Sequence, residues 1–243
     1  YRGAAYRLAP DQLSKNLAPS IGVLATEYFA EKGITWHIHA SHALSSQVCC
    51  LNFLMPLAHQ REALAKLIGH ALGIAPPEML PMERDAAGND WYVAFEWIGE
   101  RDHLNETGPT GKRTRGANVT SADAAVRFRH EGQVTMLLLE WKYTESYGAP
   151  LKADGNPTRV KRYQDIAFAP AGPIRADLGL TVADFFWEPF YQLLRQQMLA
   201  FHMQRAHEGG ADSVRLLHIS PAANSALHKV TAPALRRFGD DAF

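Results

Sequence analysis

The stretch from residue 120 to residue 145 constrains the fold more than any other part of the sequence, because it reads as two neighbouring strands joined by a tight turn. Residues 122–130 and 133–143 are both rich in β-branched, aromatic and other apolar side chains. They flank Glu131-Gly132, which suits a two-residue hairpin loop. The sequence therefore predicts an antiparallel hairpin in which His130 faces Gln133.

This register brings charged side chains together at the open end of the hairpin. Continuing the pairing residue by residue sets Asp123 opposite Glu140, with Cβ atoms about 5 Å apart on one face. Lys142, two residues further along, shares that face. Two opposed carboxylates repel unless a cation lies between them, so the pairing predicts a cation site. In the alternative interpretation, these are charges of a solvated strand end or a cross-strand ion pair.

An acid that opens one strand, followed by Glu-x-Lys at the end of the next, resembles the signature of the PD-(D/E)XK nuclease superfamily. The signature stands here as Ser121-Ala122-Asp123 and Glu140-Trp141-Lys142, with Ala122 where the superfamily usually has Pro. The sequence segments NVTSADAAVRF and LLLEWKYTESY more closely resemble segments of a group of bacterial restriction-endonuclease-like proteins. The resemblance implies an α/β fold with an α+β mixed sheet, built on a restriction-endonuclease-like α-β-β-β-α-β core.

The length and composition allow one large core, since the chain has 243 residues and is 47% hydrophobic. We predict a single nuclease-like domain over residues 1–243. It comprises a mostly helical N-terminal elaboration at 1–75, a catalytic core at 90–220 and a C-terminal tail at 221–243. Apolar strands at 91–99 and 212–220 and an amphipathic helix at 188–207 complete the predicted core.

The resemblance also implies an activity, a cofactor and roles for the signature residues. The expected activity is hydrolysis of DNA phosphodiester bonds of restriction or defence type, with Mg²⁺ and with Mn²⁺ as a substitute. Asp123 and Glu140 would bind the metal together with the backbone carbonyl of Trp141. Lys142 would either favour the hydroxide form of the attacking water or stabilise the transition state. RNA is the alternative substrate, and a homodimer is one expected assembly.

A third acid is expected from the strand before the hairpin. In WYVAFEWIG, Glu96 points away from the aromatic face, and antiparallel pairing would bring it near Asp123. A lone carboxylate in so apolar a strand costs several kcal/mol unless it is paired or bound to a metal. Glu96 is therefore predicted as a further metal ligand. Glu62 on an N-terminal helix is the other candidate, and a salt bridge from Glu96 to an arginine such as Arg127 is the structural alternative.

Any nucleic-acid partner must be held by a local basic patch, because 25 Lys and Arg balance 25 Asp and Glu. The candidates lie in three places along the chain. They are Lys112, Arg113 and Arg115 in a polar loop before Asp123, Lys161 and Arg162 beyond the hairpin, and Gln47 in a helix predicted at 43–54. A solvated or structural role is an equal alternative for the basic residues, and a structural polar network is the preferred one for Gln47.

His37, His39 and His42 form a separate group of potential ligands. We predict a strand in which His37 and His39 share one face, and packing or substrate contact is favoured over a metal site. Three classes of function follow from the sequence. The first is a metal-dependent endonuclease, the second is a nucleic-acid-binding module that keeps the fold without cutting, and the third is an unrelated metal hydrolase or structural partner protein.

The remaining features concern location. Cys49 and Cys50 are adjacent and indicate no disulfide framework. The sequence contains no run of about 18 apolar residues and opens with no signal peptide, so we predict a cytoplasmic protein without membrane contact. It begins with Tyr1 rather than Met, which is consistent with a segment of a longer protein.

Overall fold

The computed structural model describes residues 5–108, 111–117, 119–148, 150–151 and 157–240. The strands are β1 (Glu78–Leu80), β2 (Glu83–Arg84), β3 (Asp90–Trp91), β4 (Val93–Trp97), β5 (Ala122–His130), β6 (Gln133–Trp141) and β7 (Ser213–Ile219). The α-helices are α1 (Gly22–Glu31), α2 (Ser46–Leu54), α3 (Arg61–Leu72), α4 (Pro157–Ala167) and α5 (Phe190–Arg205). Short 3₁₀ helices occupy Pro10–Lys15, Met55–Leu57, Ala176–Leu178, Val182–Phe185, Glu208–Gly210, Ser225–Leu227 and Pro233–Phe238.

The predicted hairpin is confirmed, and it forms the centre of the main sheet. β5 and β6 pair antiparallel from His130↔Gln133 to Ala124↔Leu139. Glu131 and Gly132 both have positive φ, 50° and 79°. A two-residue turn needs positive φ at both positions if its twist is to match the right-handed twist of the flanking strands. The turn therefore fixes the register that the sequence predicts.

The five-stranded sheet is mixed, as the α-β-β-β-α-β core requires. β4 and β1 both pair antiparallel with the outer edge of β5, and β7 pairs parallel with β6. The meander β4-β5-β6 is followed by α5, which returns the chain to β7. β2 and β3 form a separate two-stranded sheet.

Helices cover both faces of the sheet, because alternate residues of the central strands are apolar on each side. Val126, Phe128 and Leu137 pack in one core with residues of α1, α2 and α3. Met136 and Leu138 pack in a second core with α4 and α5. The sheet is thus the middle layer of three. No described helix has both the length and the apolar composition needed to cross a bilayer.

The structure corrects the prediction of a strand around His37 and His39. Residues 37–45 form turns, and the described backbone there pairs only at an isolated bridge between Arg7 and His42. Side-chain hydrogen bonds replace the sheet ladder, since Asn16 Nδ2 donates to the carbonyls of Ala40 and His42 at 2.8 and 2.6 Å. The ends of the predicted terminal segments, 1–4 and 241–243, lie outside the described residues, as do 109–110 and 118 of the predicted basic loop.

Candidate active site

Three carboxylates lie side by side where β4 and β6 end and β5 begins. Glu96 lies opposite Asp123, because the pairs Phe95↔Ala124 and Trp97↔Ala122 flank that position. One step beyond Ala124↔Leu139, the hairpin register sets Asp123 opposite Glu140. The regular ladder stops there because the Trp141 N–H donates to Asp123 Oδ2 at 2.7 Å rather than to a strand carbonyl. The structure therefore brings the three predicted acids together.

These side chains adjoin a cavity of about 470 Å³ at that end of the sheet. Asp123, Glu96 and Lys142 line it, whereas Glu140 is 1% exposed and lies beside Lys142. The Trp141 indole is buried in the core against Phe53, with ring centroids 5.2 Å apart, so the backbone of Trp141 is the part at the site.

Glu140 and Lys142 form a buried ion pair between Lys142 Nζ and Glu140 Oε1. Two glutamines of α5 extend it. Gln192 Oε1 accepts from Lys142 Nζ at 2.9 Å, and Gln196 Nε2 donates both to Glu140 Oε2 and to the Ser121 carbonyl, the latter at 3.0 Å. The position of each charge is therefore set by a neutral amide from the helix above.

Glu96 is held by neutral donors rather than by an arginine. Gln47 Nε2 donates to Glu96 Oε1 at 2.6 Å, and Ser121 Oγ donates to Glu96 Oε2 at 3.0 Å. The suggested salt bridge to Arg127 is wrong, because that guanidinium donates to the carbonyls of Pro81 and Gly209. Glu96 also has a φ of 50°, which locally distorts the β4 ladder.

The pKa values of the cluster follow from burial and from charge. Removal from water, and then the charge of Glu140, raises the pKa of Asp123 well above its usual range. Burial likewise raises the pKa of Glu96 against the opposing effect of its hydrogen bonds. Burial lowers the pKa of Lys142, but the carboxylates of Glu140 and Asp123 outweigh it, so that pKa lies above its ordinary value. Lys142 is thus a protonated cation at neutral pH.

The donor set fits a two-carboxylate cation site better than a three-carboxylate cage. Within the described part of the chain, no three His, Cys, Asp or Glu side chains are arranged to hold a metal ion. Asp123 and Glu140 supply hard oxygens, and Mg²⁺ is usually held by one or two carboxylates while it keeps several waters. Glu96 would have to release Gln47 or Ser121 to become a ligand. Glu140 would likewise have to exchange its contact with Lys142 or Gln196. Glu62 is exposed on α3 in a different surface depression.

Two of the predicted nucleic-acid contacts have their charge engaged inside the protein. The Arg113 guanidinium donates to four backbone carbonyls at residues 98–101. Arg115 donates to Glu83, to the Tyr28 hydroxyl and to the Phe95 carbonyl. These contacts favour the structural alternative for both arginines. Lys112 is exposed in the same loop.

The other predicted contacts lie on helices. Lys161 is exposed and Arg162 half-buried on α4. Gln47 is buried at the N-terminal end of α2, where its Oε1 accepts from the His37 N–H at 3.0 Å while its Nε2 binds Glu96. Gln47 therefore belongs to a polar network that supports the acidic cluster, the alternative preferred from sequence.

Several residues at the cavity carry no prediction from sequence. Glu188, Tyr147 and Arg195 line it, and Arg195 Nη2 also contacts the buried Glu106 carboxylate at 3.2 Å. The available signal is the spacing of Gln192, Arg195 and Gln196, which are three and four residues apart and so share one face of a helix. That spacing identifies a face but not the sheet edge it meets.

One family model matches the chain over residues 2–242, and its description is Restriction Endonuclease associating with ARP. Comparison with curated proteins gave no match, and neither did comparison with solved structures.

Proposed function

The chain belongs to the family of restriction endonucleases associating with ARP, and from that premise we propose that it is a metal-dependent endonuclease that hydrolyses DNA phosphodiester bonds. The observation that carries the proposal is the convergence of Asp123, Glu140 and Lys142 at one end of the sheet. Phosphodiester hydrolysis needs a positioned water and relief of negative charge, and this set offers oxygen ligands beside a fixed cation.

Asp123 and Glu140 are the residues that would hold Mg²⁺, or Mn²⁺ in its place, with the Trp141 carbonyl as a further oxygen ligand. A divalent cation bound there would supply Lewis-acid chemistry, lowering the pKa of a coordinated water and neutralising charge on the phosphate. Of these two residues, Asp123 lines the cavity. Its pKa is raised by burial and by Glu140, so a bound cation would relieve the unfavourable negative charge.

Lys142 acts in this proposal as a cation and not as a base. A general base must be unprotonated, whereas the Glu140 carboxylate keeps the ammonium charged by raising its pKa. A charged Nζ at the cavity wall can hold a hydroxide or stabilise the extra negative charge of the transition state. Arg195 places a guanidinium at the cavity wall, where its Nη2 is already engaged by the Glu106 carboxylate.

Gln192, Gln196 and Gln47 are positioning residues, because each binds a charged group of the cluster through a neutral amide. They fix side chains that would otherwise rotate or repel.

The family's description also names an association with ARP, and we extend that association to this chain.

A cleavage assay tests the proposal with a charge-matched pair of variants. The substrates are supercoiled plasmid, a mixture of long genomic DNAs, and RNA, each incubated with Mg²⁺ or Mn²⁺. Wild-type protein should nick or linearise DNA. Asp123→Asn should reduce the rate at least about a hundredfold, since it removes a ligand charge while keeping an oxygen for the Trp141 N–H. Asp165→Asn, at an exposed position on α4, is the control and should cut normally.

The assay also separates the competing functions. DNA binding without cleavage under either metal would favour the binding module, and cleavage of RNA alone would replace the substrate. Equal rates for wild type and Asp123→Asn would remove this cluster from the mechanism.

A further inference from the structure

A small recess lined by aromatic rings opens beside the catalytic cavity. It measures about 250 Å³ and is lined by the rings of Tyr6, His37, His39 and His42. His37, Ser46 and Glu145 line both the recess and the cavity of Asp123, so the two spaces adjoin. The volume is below that of pockets for drug-sized ligands, and it suits a single heteroaromatic ring system.

The rings form a continuous series with ring faces partly open to solvent. His39 stacks on His42 with centroids 4.6 Å apart and planes 26° apart, and His37 meets His39 edge-on at 5.3 Å. Tyr6 meets His42 edge-on at 6.0 Å and is 42% exposed. His37 and His39 are also exposed. Exposed aromatic faces of this kind are the platforms on which unpaired bases stack.

The recess is preorganised, although turns rather than regular elements form it. The Ala43 N–H donates to the Tyr6 carbonyl at 2.9 Å, which ties the N-terminal arm to the histidine turns. Asn16 holds the carbonyls of Ala40 and His42, and Gln47 holds the N–H of His37. Through its other end Gln47 binds Glu96, so the recess and the acidic cluster are fixed to one another.

The chemistry of the recess favours a neutral ring over an anion or a metal. Burial, and then the neighbouring His39, lowers the pKa of both His37 and His42, which leaves them uncharged at neutral pH. The Glu145 carboxylate at the rim would repel a phosphate. The Arg7 guanidinium does not line the recess and lies over the Tyr6 ring, 5.7 Å from its centroid. For a metal, His37 Nδ1 already accepts from the His39 N–H at 3.3 Å, and the described residues hold no metal-binding group of three.

We propose that this recess binds a nucleobase next to the scissile phosphate, stacking it on the exposed His39 ring while the ring of Tyr6 contacts its edge. The inference rests on the proposed nuclease function, because that function brings a polynucleotide to the adjoining cavity. A base inside a duplex is paired and stacked between its neighbours and cannot enter a recess, so the ligand is an unpaired or extruded base.

The test measures binding without cleavage, so it stands apart from the test of the catalytic cluster. The full chain in EDTA is titrated into a labelled single strand of about 12 nucleotides, and into the same strand with abasic sites, which keep the phosphates and lose the rings. Wild-type protein should bind the base-containing strand about tenfold more tightly than the abasic strand. Equal affinity for the two strands would overturn the proposal even if the protein cuts DNA, and absence of cleavage with the preference intact would overturn only the nuclease assignment.

Variants of one ring identify the interaction. His39→Ala should lose most of the preference for bases, and His39→Phe should keep it, because phenylalanine stacks but neither coordinates a metal nor carries charge. Ile38→Ala, at an 83% exposed position of the same turn that does not line the recess, is the control and should behave as wild type. Loss of the preference in His39→Phe as well, or a preference that appears only on addition of Zn²⁺ or Ni²⁺, would refute stacking and indicate a metal site. Unchanged thermal unfolding of each variant confirms that the surface changes leave the fold intact.

Discussion

Lys142 carries its charge inside the protein, since the residue is 7% exposed and its ammonium contacts the nearly inaccessible carboxylate of Glu140. Removing one partner of a buried ion pair leaves the other uncompensated, which costs about 3–5 kcal/mol. Replacing Lys142 therefore affects folding as well as chemistry.

This geometry predicts the behaviour of a double-mutant cycle. Lys142→Met should lower the free energy of unfolding by about 3 kcal/mol in urea titrations at pH 7, and Glu140→Gln/Lys142→Met should recover most of that loss. Both should be inactive. A Lys142→Met protein as stable as wild type would contradict the buried pair.

Asp123 lies between Glu96 and Glu140, with Lys142 as the cation of the cluster, so its charge is unfavourable when no divalent cation is bound. Asp123→Asn should therefore raise the free energy of unfolding in EDTA at pH 8 by about 1 kcal/mol, a typical gain where a functional group is removed.

The sign of the pH effect follows from the raised pKa of Asp123. Folded wild-type protein takes up a proton at a higher pH than the unfolded chain does, so Asp123 becomes less destabilising as pH falls. The advantage of Asp123→Asn should therefore shrink below that pKa in thermal unfolding measured across pH. A constant advantage at every pH, or the same gain in Asp165→Asn, would assign the effect to general surface charge.

At this scale the sequence identifies the acids but not their partners. Asp123 and Glu140 follow from the hairpin register, and Glu96 follows from antiparallel pairing. The roles of Arg113 and Arg115 depend on where backbone carbonyls from distant segments meet, which no local spacing encodes. In the sequence, a basic residue of a polar loop that faces solvent cannot be distinguished from one that hydrogen-bonds to backbone carbonyls and holds the loop in place.

Among the elements, the hairpin turn makes the most direct prediction about sequence preference. Glu131 has a φ of 50°, in the left-handed region where a glutamate is disfavoured and an asparagine is readily accommodated. Glu131→Asn creates the Asn-Gly pair favoured in such turns and should raise the free energy of unfolding by about 0.5–1 kcal/mol. The turn lies at the opposite end of the hairpin from Asp123, so the cleavage rate should not change. A loss of stability would mean that the turn differs from the one described.

Strongly patterned elements were predictable, and elements that depend on distant partners were not. β5 matches the predicted strand at both ends. The helix predicted over 188–207 is α5, which begins directly after Pro189, since proline lacks the N–H that a helix interior needs. The sequence analysis does not predict β1, because its three residues form a strand only where they meet the free edge of β5. The stretch around His37 and His39 shows the opposite case. Its alternation predicts a strand, but within the described part of the chain its backbone pairs only at the isolated bridge between Arg7 and His42.

On the scale of the whole molecule, Arg115 connects parts of the chain that are far apart in sequence. Its Nη1 contacts Glu83 Oε1 at 2.6 Å, its Nη2 donates to the Tyr28 hydroxyl of α1 at 2.8 Å, and its Nε donates to the Phe95 carbonyl of β4 at 2.8 Å. The Arg115 carbonyl in turn accepts from the Thr35 N–H. One side chain thus fastens the loop before β5 to the N-terminal helical layer and to the strand that carries Glu96.

This connection distinguishes a structural arginine from one that binds nucleic acid. Arg115→Ala leaves the poorly exposed Glu83 carboxylate without its cation and should lower the free energy of unfolding by about 3 kcal/mol. Lys112→Ala, in the same loop but exposed, should leave stability unchanged. If Lys112 contacts a phosphate, its loss should weaken DNA binding equally for all sequences and reduce the salt dependence by about one charge.

Urea unfolding and DNA binding at several salt concentrations, measured on Arg115→Ala and Lys112→Ala, distinguish the structural role from the nucleic-acid contact. Arg115→Ala/Glu83→Gln should recover stability relative to Arg115→Ala, because it removes both charges together. If DNA affinity recovers together with stability in this double variant, Arg115 has a structural role. It then acts by holding β4, which carries Glu96, in place. If Arg115→Ala is instead as stable as wild type and its DNA binding depends less on salt, Arg115 contacts a phosphate. Its contacts with Glu83 and Phe95 would then be exchanged for that phosphate when DNA binds.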